Sequence, residues 1–308
     1  MTWAAAHGSL ILRPERAPIG ADERRMLDAV LADPDDDAPR LVYADWLMAR
    51  PEPELAARGE LIVVQCALET MQDPAEHNRL KARDFELVER FGNRWAAQTG
   101  IGVVRNNFYR SPCGVELRRG FIEAATALTD DFAGFASRLF TREPVRELTL
   151  IGESAHIARV PTSLFVARLR ALAIREAHGS VAHLAALASS PHVAGLERLD
   201  LSASYRALRD EPIAALARAG SMPRLRELVL AKGHIGPAGA HALAAAPLTT
   251  NLTRLVLDGN PIDDDGALAF VDSPHLAQLR ELSLVDVMLG QDVRARLARR
   301  FGGGVRFD

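Results

Sequence analysis

The segment Asp36–Leu47, DDAPRLVYADWL, crowds a tyrosine, an aspartate and a tryptophan within four positions. Glu60 follows on the next predicted helix. A pocket that united Asp45 with Glu60 would hold two carboxylates, the pair that general acid–base catalysis uses. The segment is therefore the first candidate for chemistry in this chain.

Two other roles remain open for the same segment. In one, Trp46 belongs to a helical core and Asp45 pairs with Arg40, with Arg58 or with a free N–H at a helix end. In the other, the segment is a docking surface for a partner. The core alternative is favoured, because the apolar residues around Trp46 recur at helical spacing.

Other residues that could bind a metal lack the required spacing. His178 and His183 stand close in sequence, as do His234 and His241, but neither pair has an evident third ligand. The acidic run Asp263–Asp265 lacks the alternating acids and the closing glutamate of a calcium loop. Its acids are better suited to cap the helix that follows. The sequence therefore predicts no metal site.

Nucleotide binding and nucleophilic catalysis find no support either. The run Gly302–Gly304 is not followed by the lysine of a phosphate-binding loop. Cys66 lies in an apolar stretch and is expected to pack as a small hydrophobe, and Cys113 has no base nearby in sequence. We therefore expect no cofactor, no catalytic residue and no enzymatic activity.

Composition narrows the class of partner. The chain has 308 residues, 48% of them hydrophobic, and a formal net charge of −3. That balance provides no basic field for nucleic acid or for an anionic membrane. The first twenty residues lack the pattern of a signal peptide, and no apolar run is long enough to span a bilayer. These features favour a cytoplasmic protein with two reduced cysteines.

The second half of the chain contains an internal repeat. The pattern L-x-x-L-x-L, with close apolar variants, occurs six times, and its central apolar residues are 24 to 29 residues apart. Those residues are Leu148, Leu172, Leu199, Leu228, Leu255 and Leu282. Alternate residues of such a short strand point to opposite sides, so the leucines are expected to face inward and the x residues to face solvent.

This repeat resembles the leucine-rich repeat. Alanine- and leucine-rich segments between the strands favour helices, and the unit length is similar to that of the ribonuclease-inhibitor-like class. The resemblance implies an α/β solenoid with a parallel sheet. Asn260 stands where the family's asparagine bonds neighbouring backbone, whereas Ala177, Ser204, Gly233 and Val287 occupy that position in other copies.

The first third of the chain shows helical periodicity instead, over about four helices. Three phrases, Asp35–Leu47, Arg58–Ile62 and Glu89–Trp95, together resemble the bacterial repeat-companion domain, a helical module that precedes leucine-rich repeats. The resemblance implies a paired architecture but no reaction. We expect a flexible arm over 1–20, an all-α domain over 21–100, and a solenoid over 101–308.

The ends of the solenoid need caps. Cys113–Leu128 is predicted to form a hairpin, whose second half is a degenerate first strand. Val305–Phe307 is predicted to form a last edge strand.

The solvent side of the repeat strands is the predicted binding surface, because solenoids present an extended concave sheet. It mixes acids and bases with small apolar residues, which suits a protein partner better than a polyanion. We expect a non-catalytic interaction scaffold. The alternatives are an effector or enzyme-associated targeting protein and a self-associating structural protein. The predicted surface comprises Glu147, Thr149, Arg175, Arg198, Asp200, Glu227, Val229, Arg254, Val256, Asp258, Glu281 and Ser283.

Overall fold

The computed structural model describes residues 19–101, 114–152, 159–175, 181–202, 208–219 and 222–308. The predicted arm over 1–20, except its last two residues, lies outside these ranges, as do Cys113, His178, Ala177 and Ser204. The chain divides into two compact units. The first comprises Met1–Ala125 and Gly134–Pro144, and the second comprises Thr126–Ala133 and Val145–Asp308.

Four helices form most of the first unit. Their bounds are α1 Ala21–Ala32, α2 Asp37–Met48, α3 Pro53–Thr70 and α4 Pro74–Gln98. Asp36 caps α2 by accepting a hydrogen bond from the Ala38 N–H at 2.9 Å. Asp73 caps α4 in the same way, from the Glu76 N–H at 2.7 Å. The expected helical region and the capping role of Asp36 are confirmed.

Helices α2 and α3 pack closely because Gly59 has no side chain. A Cβ atom at Gly59 would lie 2.6 Å from the Ala44 carbonyl oxygen and 2.8 Å from Met48 Cγ. Beside this contact, Leu47 and Ile62 are fully buried. The phrase that begins at Arg58 thus contains a glycine that the helix crossing requires.

Two buried arginines lie within the first unit. The Arg40 side chain is inaccessible to solvent, and its Nη2 donates to Glu123 Oε1 at 2.7 Å. The Arg58 Nη2 donates to both carboxylate oxygens of Glu143, at 3.2 and 3.0 Å. The expected pairing of Asp45 with one of these arginines is wrong, because both guanidinium groups are held by more distant carboxylates and Asp45 is exposed.

The predicted hairpin is present over its described residues as β1, Gly114–Arg118, and β2, Phe121–Leu128. Arg119 and Gly120 form its turn with positive φ angles of 47° and 75°. The last residues of β2 belong to the second unit. Helix α5, Phe132–Phe140, follows β2.

The second unit contains seven described parallel strands. They are β3 Glu147–Ile151, β4 Ala171–Arg175, β5 Arg198–Asp200, β6 Glu227–Val229, β7 Arg254–Val256, β8 Glu281–Ser283 and β9 Val305–Arg306. They pair in chain order, and the register aligns the central leucine of each repeat with that of the next. All six leucines are at most 1% exposed, which confirms their inward orientation. Strand β9 confirms the predicted last strand.

Helices alternate with these strands. They are α6 Val181–Ser189, α7 Asp210–Ala219, α8 Pro237–Ala244, α9 Asp264–Asp272 and α10 Gln291–Phe301. Asp263 caps α9 by accepting from the Gly266 N–H at 2.9 Å, as predicted. The alternation of parallel strands with helices fits a leucine-rich-repeat-like α/β fold.

Two Ser-Pro-His turns join neighbouring repeats. Ser273 Oγ donates to the Ala244 carbonyl oxygen at 2.5 Å and accepts from the His275 N–H at 3.2 Å. Ser190 makes the equivalent pair of bonds, to Pro161 and from the N–H of His192. The interpretation of both histidines as turn residues is therefore confirmed.

Asn260 connects two repeats through its buried side-chain amide. Its Oδ1 accepts from the Gly233 N–H at 2.9 Å and from the Ile235 N–H at 3.0 Å. Its Nδ2 donates to the carbonyl oxygens of Leu230 at 2.9 Å and Leu257 at 2.7 Å. The predicted backbone-bonding role of Asn260 is confirmed.

Replacing Asn260 by alanine is expected to lower the free energy of unfolding by about 2–4 kcal/mol, because two N–H and two carbonyl groups lose their buried partner. Urea unfolding followed by circular dichroism measures the change. Asn251→Ala is the matched control, since Asn251 is exposed and donates a single bond, to the Pro223 carbonyl oxygen at 3.1 Å. A loss below about 1 kcal/mol for Asn260→Ala would contradict the assigned network.

Candidate functional site: the charged face of the parallel sheet

Opposite charges alternate along one row of the sheet. The strand register places Arg198, Glu227, Arg254 and Glu281 side by side on β5 to β8. Each lies one position before a buried leucine, so all four point to the face opposite the leucine core. Opposite charges directly across neighbouring strands stabilise the pairing.

The row is bound together by ion pairs. Arg254 Nη1 lies 2.7 Å from Glu227 Oε1, and Arg254 Nε lies 3.2 Å from Glu281 Oε2. On one side Arg198 Nε lies 3.6 Å from Glu227 Oε1. On the other, Arg306 Nη2 lies 3.5 Å from Glu281 Oε1.

Asp200 extends the ion pairs to β4. Its Oδ2 lies 3.3 Å from Arg175 Nη2 and 3.7 Å from Arg198 Nη2. Its Oδ1 accepts from the Ser202 N–H at 3.0 Å, which fixes the carboxylate. We call the connected set the charge ladder, and it comprises Arg175, Arg198, Asp200, Glu227, Arg254, Glu281 and Arg306.

The two signs of charge differ in exposure. The ladder arginines have side chains 41 to 64% exposed, whereas its carboxylates are only 5 to 26% exposed. The carboxylates therefore lie beneath the guanidinium groups that they neutralise. What reaches solvent from this ladder is mainly arginine.

A second row of the predicted surface is nearly closed to solvent. Asp200, Val229, Val256 and Ser283 align on β5 to β8 and are only 3 to 9% exposed. The expectation that every x residue faces solvent is wrong here. Long side chains of the adjoining row stand next to these short ones, and adjacent strands are only about 4.8 Å apart.

The remaining predicted residues flank the ladder. Glu147 and Thr149 lie on β3 and are half-buried. Asp258 follows β7, and its Oδ1 accepts from the Val285 N–H at 2.9 Å, which joins two repeats. Whether any of these side chains binds a partner stays a prediction.

Removing one ladder arginine is expected to cost little stability. Arg254→Gln should lower the free energy of unfolding by no more than about 1 kcal/mol, because its ion pairs are partly exposed and screened by water. The difference from the unchanged chain should shrink as salt rises from about 0.05 to 0.5 M, since the Debye length shortens. Urea titrations at both salt concentrations measure this. A loss above about 3 kcal/mol that salt does not alter would contradict the assignment of these pairs as surface pairs.

The carboxylate pair that could have supported catalysis is not assembled. Glu60 accepts from Arg83 Nε at 2.6 Å and from Arg83 Nη2 at 2.7 Å. These hydrogen bonds hold the pKa of Glu60 below its ordinary value. A general acid needs the opposite shift to keep its proton near neutral pH. Asp45 is exposed on α2.

A small cleft in the first unit does not bring that pair together either. Neither Asp45 nor Glu60 lines this cleft. Tyr43, Trp95 and the ion pair of Arg58 with Glu143 are among its lining residues. Glu143 Oε2 also accepts from the Ile122 N–H at 2.8 Å, so this carboxylate supports the fold.

The sequence analysis did not predict that Arg40 and Arg58 are buried. For Arg40, the helical pattern of α2 indicates burial. Arg40 stands three, four and seven residues before Tyr43, Ala44 and Leu47, all buried on α2. Such a position on the apolar stripe of a helix calls for a buried side chain. Its partner Glu123 is distant in sequence and leaves no comparable signal.

Metal-binding clusters and membrane-spanning helices are absent from the described ranges. There, no group of three or more His, Cys, Asp or Glu side chains is arranged to hold a metal ion. His241 instead lies 2.8 Å from Asp265, through Nε2 and Oδ2. None of the helices in the described parts is long and apolar enough to cross a membrane. Burial raises the pKa of the Cys66 thiol to about 12, which keeps it protonated and unreactive.

One segment of the second unit matches a known repeat family. A family model described as leucine-rich repeat matches residues 250–271, the segment that contains β7, Asn260 and most of α9. No curated protein matches the chain. A crystal structure of a Bacteroides fragilis protein matches at 12% identity with a TM-score of 0.31, covering 53% of this chain and 65% of that one. That likeness is too weak to indicate function. The repeat match and the aligned leucine strands support a leucine-rich-repeat protein.

Proposed function

We propose that this protein is a non-catalytic interaction module that binds a protein partner on the exposed strand face of its second unit. The observation that carries the proposal is the charge ladder, which continues across six neighbouring strands, β4 to β9. A broad face of this kind offers many polar contacts to a large partner. The leucine-rich repeat suggests the same role.

The chemistry of the ladder also favours binding over catalysis. Asp200, Glu227 and Glu281 each lie within 4 Å of at least two arginine side chains. Because each carboxylate is engaged by arginines, these groups are suited to hold the ladder in place for a partner.

The proposal includes the architecture that the sequence predicted. In it, the repeats form a ribonuclease-inhibitor-like solenoid over 101–308, and the charge ladder lies on its concave side. The helices over 21–100 form a repeat-companion domain of bacterial type, in a cytoplasmic protein. The three phrases in α2, α3 and α4 support this assignment.

Affinity capture from a native lysate tests the function. The bait variant should combine Arg198→Gln with Arg254→Gln, because both side chains are more than 40% exposed and glutamine keeps most of their length. Asp200 should be left unchanged, since it is nearly buried and bonded to backbone. Arg299→Gln on α10 is the control for loss of an arginine at an exposed position outside the ladder.

A partner captured by the unchanged chain and by Arg299→Gln, but lost from the double variant, is the expected result. Equal capture by all three would place the binding surface elsewhere and favour a targeting role for the helical unit. Capture of further copies of the chain itself would favour a self-associating structural protein.

A further inference from the structure

The arginines and the carboxylates of the charge ladder lie at different depths from the surface. Its arginines are the outer groups, and its carboxylates are the inner ones, with Asp200 only 5% exposed at its side chain. An approaching partner therefore meets guanidinium groups first. The compensating negative charge is less exposed, with carboxylate side chains only 5 to 26% accessible.

The outer arginines retain hydrogen-bonding capacity. A guanidinium group has five N–H donors, and Arg254 uses one in its 2.7 Å bond to Glu227. Arg175 uses one in its 3.3 Å bond to Asp200. The ion pairs of Arg198 are longer, at 3.6 and 3.7 Å. The Nε of Arg254 is buried, but the remaining Nη donors match the acceptor oxygens of a carboxylate, which a guanidinium binds with two parallel bonds.

Two of the arginines stand in register two strands apart. Arg198 on β5 and Arg254 on β7 lie in the same row, with Glu227 between them on β6, whereas Arg306 aligns with Ser283, two positions further along its strand than that row. Because adjacent strands are about 4.8 Å apart, Arg198 and Arg254 are offset by about 9.6 Å. An extended polyproline-II chain presents every third side chain on one face, at intervals of about 9.3 Å. The distance between the arginines and the side-chain interval of the polyproline-II chain therefore nearly coincide.

We propose that the charge ladder recognises an acidic, extended protein segment that carries two carboxylates three residues apart. The inference rests on the proposed function and names the class of partner. Each carboxylate of the segment binds one outer arginine. Glu227 repels negative charge that falls between Arg198 and Arg254, and Glu281 repels negative charge on the far side of Arg254, which gives the face selectivity for spacing as well as for sign.

The same repulsion disfavours nucleic acid. A duplex carries one negative charge per about 1.7 Å of its axis, far denser than the arginine interval. Its phosphates would face the inner carboxylates as well as the arginines. The inner carboxylates therefore repel a polyanion that binds by charge density alone, and a spaced acidic segment avoids this repulsion.

A defined peptide tests this inference with the full chain. The probe is a fluorescein-labelled peptide of four Glu-Pro-Pro repeats, and anisotropy at about 0.05 M salt measures its dissociation constant, where screening is weak. A peptide with the same four glutamates in one block and the same eight prolines is the spacing control. Four Lys-Pro-Pro repeats form the charge control, and inorganic polyphosphate tests for binding by charge density.

We expect the Glu-Pro-Pro probe to bind the unchanged chain more tightly than either control peptide or polyphosphate. Each of Arg198→Gln and Arg254→Gln should weaken it about tenfold, as expected for one charge-assisted hydrogen-bonded contact. Arg299→Gln should leave it unchanged. No binding of the probe, equal binding of the block peptide, tighter binding of polyphosphate, or equal affinity in the ladder variants would each overturn the inference.

The two proposals fail in distinguishable ways. A lysate partner that the ladder variants lose, together with no affinity for the acidic probe, would overturn the acidic specificity and leave the proposed function standing. If the ladder variants lose neither a lysate partner nor the probe, both proposals are overturned.

Discussion

Replacing Glu123 by leucine is expected to lower the free energy of unfolding by about 3–5 kcal/mol, because it leaves the buried Arg40 charge without its carboxylate. Arg40 is inaccessible to solvent, and its side chain also donates to the carbonyl oxygens of Pro34 and Arg119. Those groups do not neutralise the charge. Urea unfolding of the single variant measures the loss.

The double variant Arg40→Met with Glu123→Leu separates charge from packing. It should recover at least half of the lost stability, since an apolar pair of similar volume often replaces a buried ion pair at little cost. Glu60→Ala is the surface comparison, because Glu60 and Arg83 are about 40% exposed, and it should cost no more than about 1 kcal/mol. A double variant at least as unstable as Glu123→Leu would show that the charge is not what makes this position sensitive.

Replacing Gly120 by alanine is expected to destabilise the first unit by about 3 kcal/mol or more, since two costs add. The φ angle of Gly120 is +75°, a left-handed conformation that disfavours any side chain. An added Cβ would also lie 2.2 Å from Cγ1 and 2.5 Å from Cα of Ile62, which is fully buried. The Ile62 backbone cannot give way as a flexible side chain would.

The control for this substitution lies on the same hairpin. Gly114 has nothing within 4 Å of an added Cβ and no positive φ. Gly114→Ala should therefore change stability by no more than about 0.5 kcal/mol. Thermal unfolding by circular dichroism compares the two variants. Similar melting temperatures for both would contradict the close contact between the turn and α3.

Periodicity explains which parts of the fold the sequence predicts well. The recurrence of leucines such as Leu199 and Leu228 gives the strand register directly, because each repeat places the same residue against its neighbour. Asn260 is predictable for the same reason. Helix ends are marked locally by Asp36 and Asp73, whose caps need only residues nearby in sequence.

Partners that are distant in the chain are not predictable in this way. Arg40 and Arg58 find Glu123 and Glu143 more than eighty residues later, and no local pattern identifies either carboxylate. The sequence instead offered Asp45 as the partner. The prediction was wrong because it chose the carboxylate nearest in sequence, whereas the hairpin and the segment after α5 bring Glu123 and Glu143 to these arginines.

The sequence also does not predict how deeply the residues of the candidate site are buried. Strand alternation correctly predicts that Arg198 and Val229 point to the face opposite the leucines, but it does not predict how deeply each is covered. Val229 is 9% exposed, whereas the Arg198 side chain is 47% exposed. Coverage depends on the lengths of neighbouring side chains across strands, which emerge only once the repeats are aligned.

Site-specific photo-crosslinking in the native host tests the central claim most directly. A benzophenone amino acid placed at Thr149 or Val285 would sit beside the charge ladder without removing any of its members. The same group at Asp45 reports on the helical unit, and at Arg299 it reports on α10. We predict a crosslinked protein adduct from Thr149 and Val285 and none from Asp45 or Arg299. An adduct formed only from Asp45 or Arg299 would contradict the assignment of the charged strand face as the binding surface.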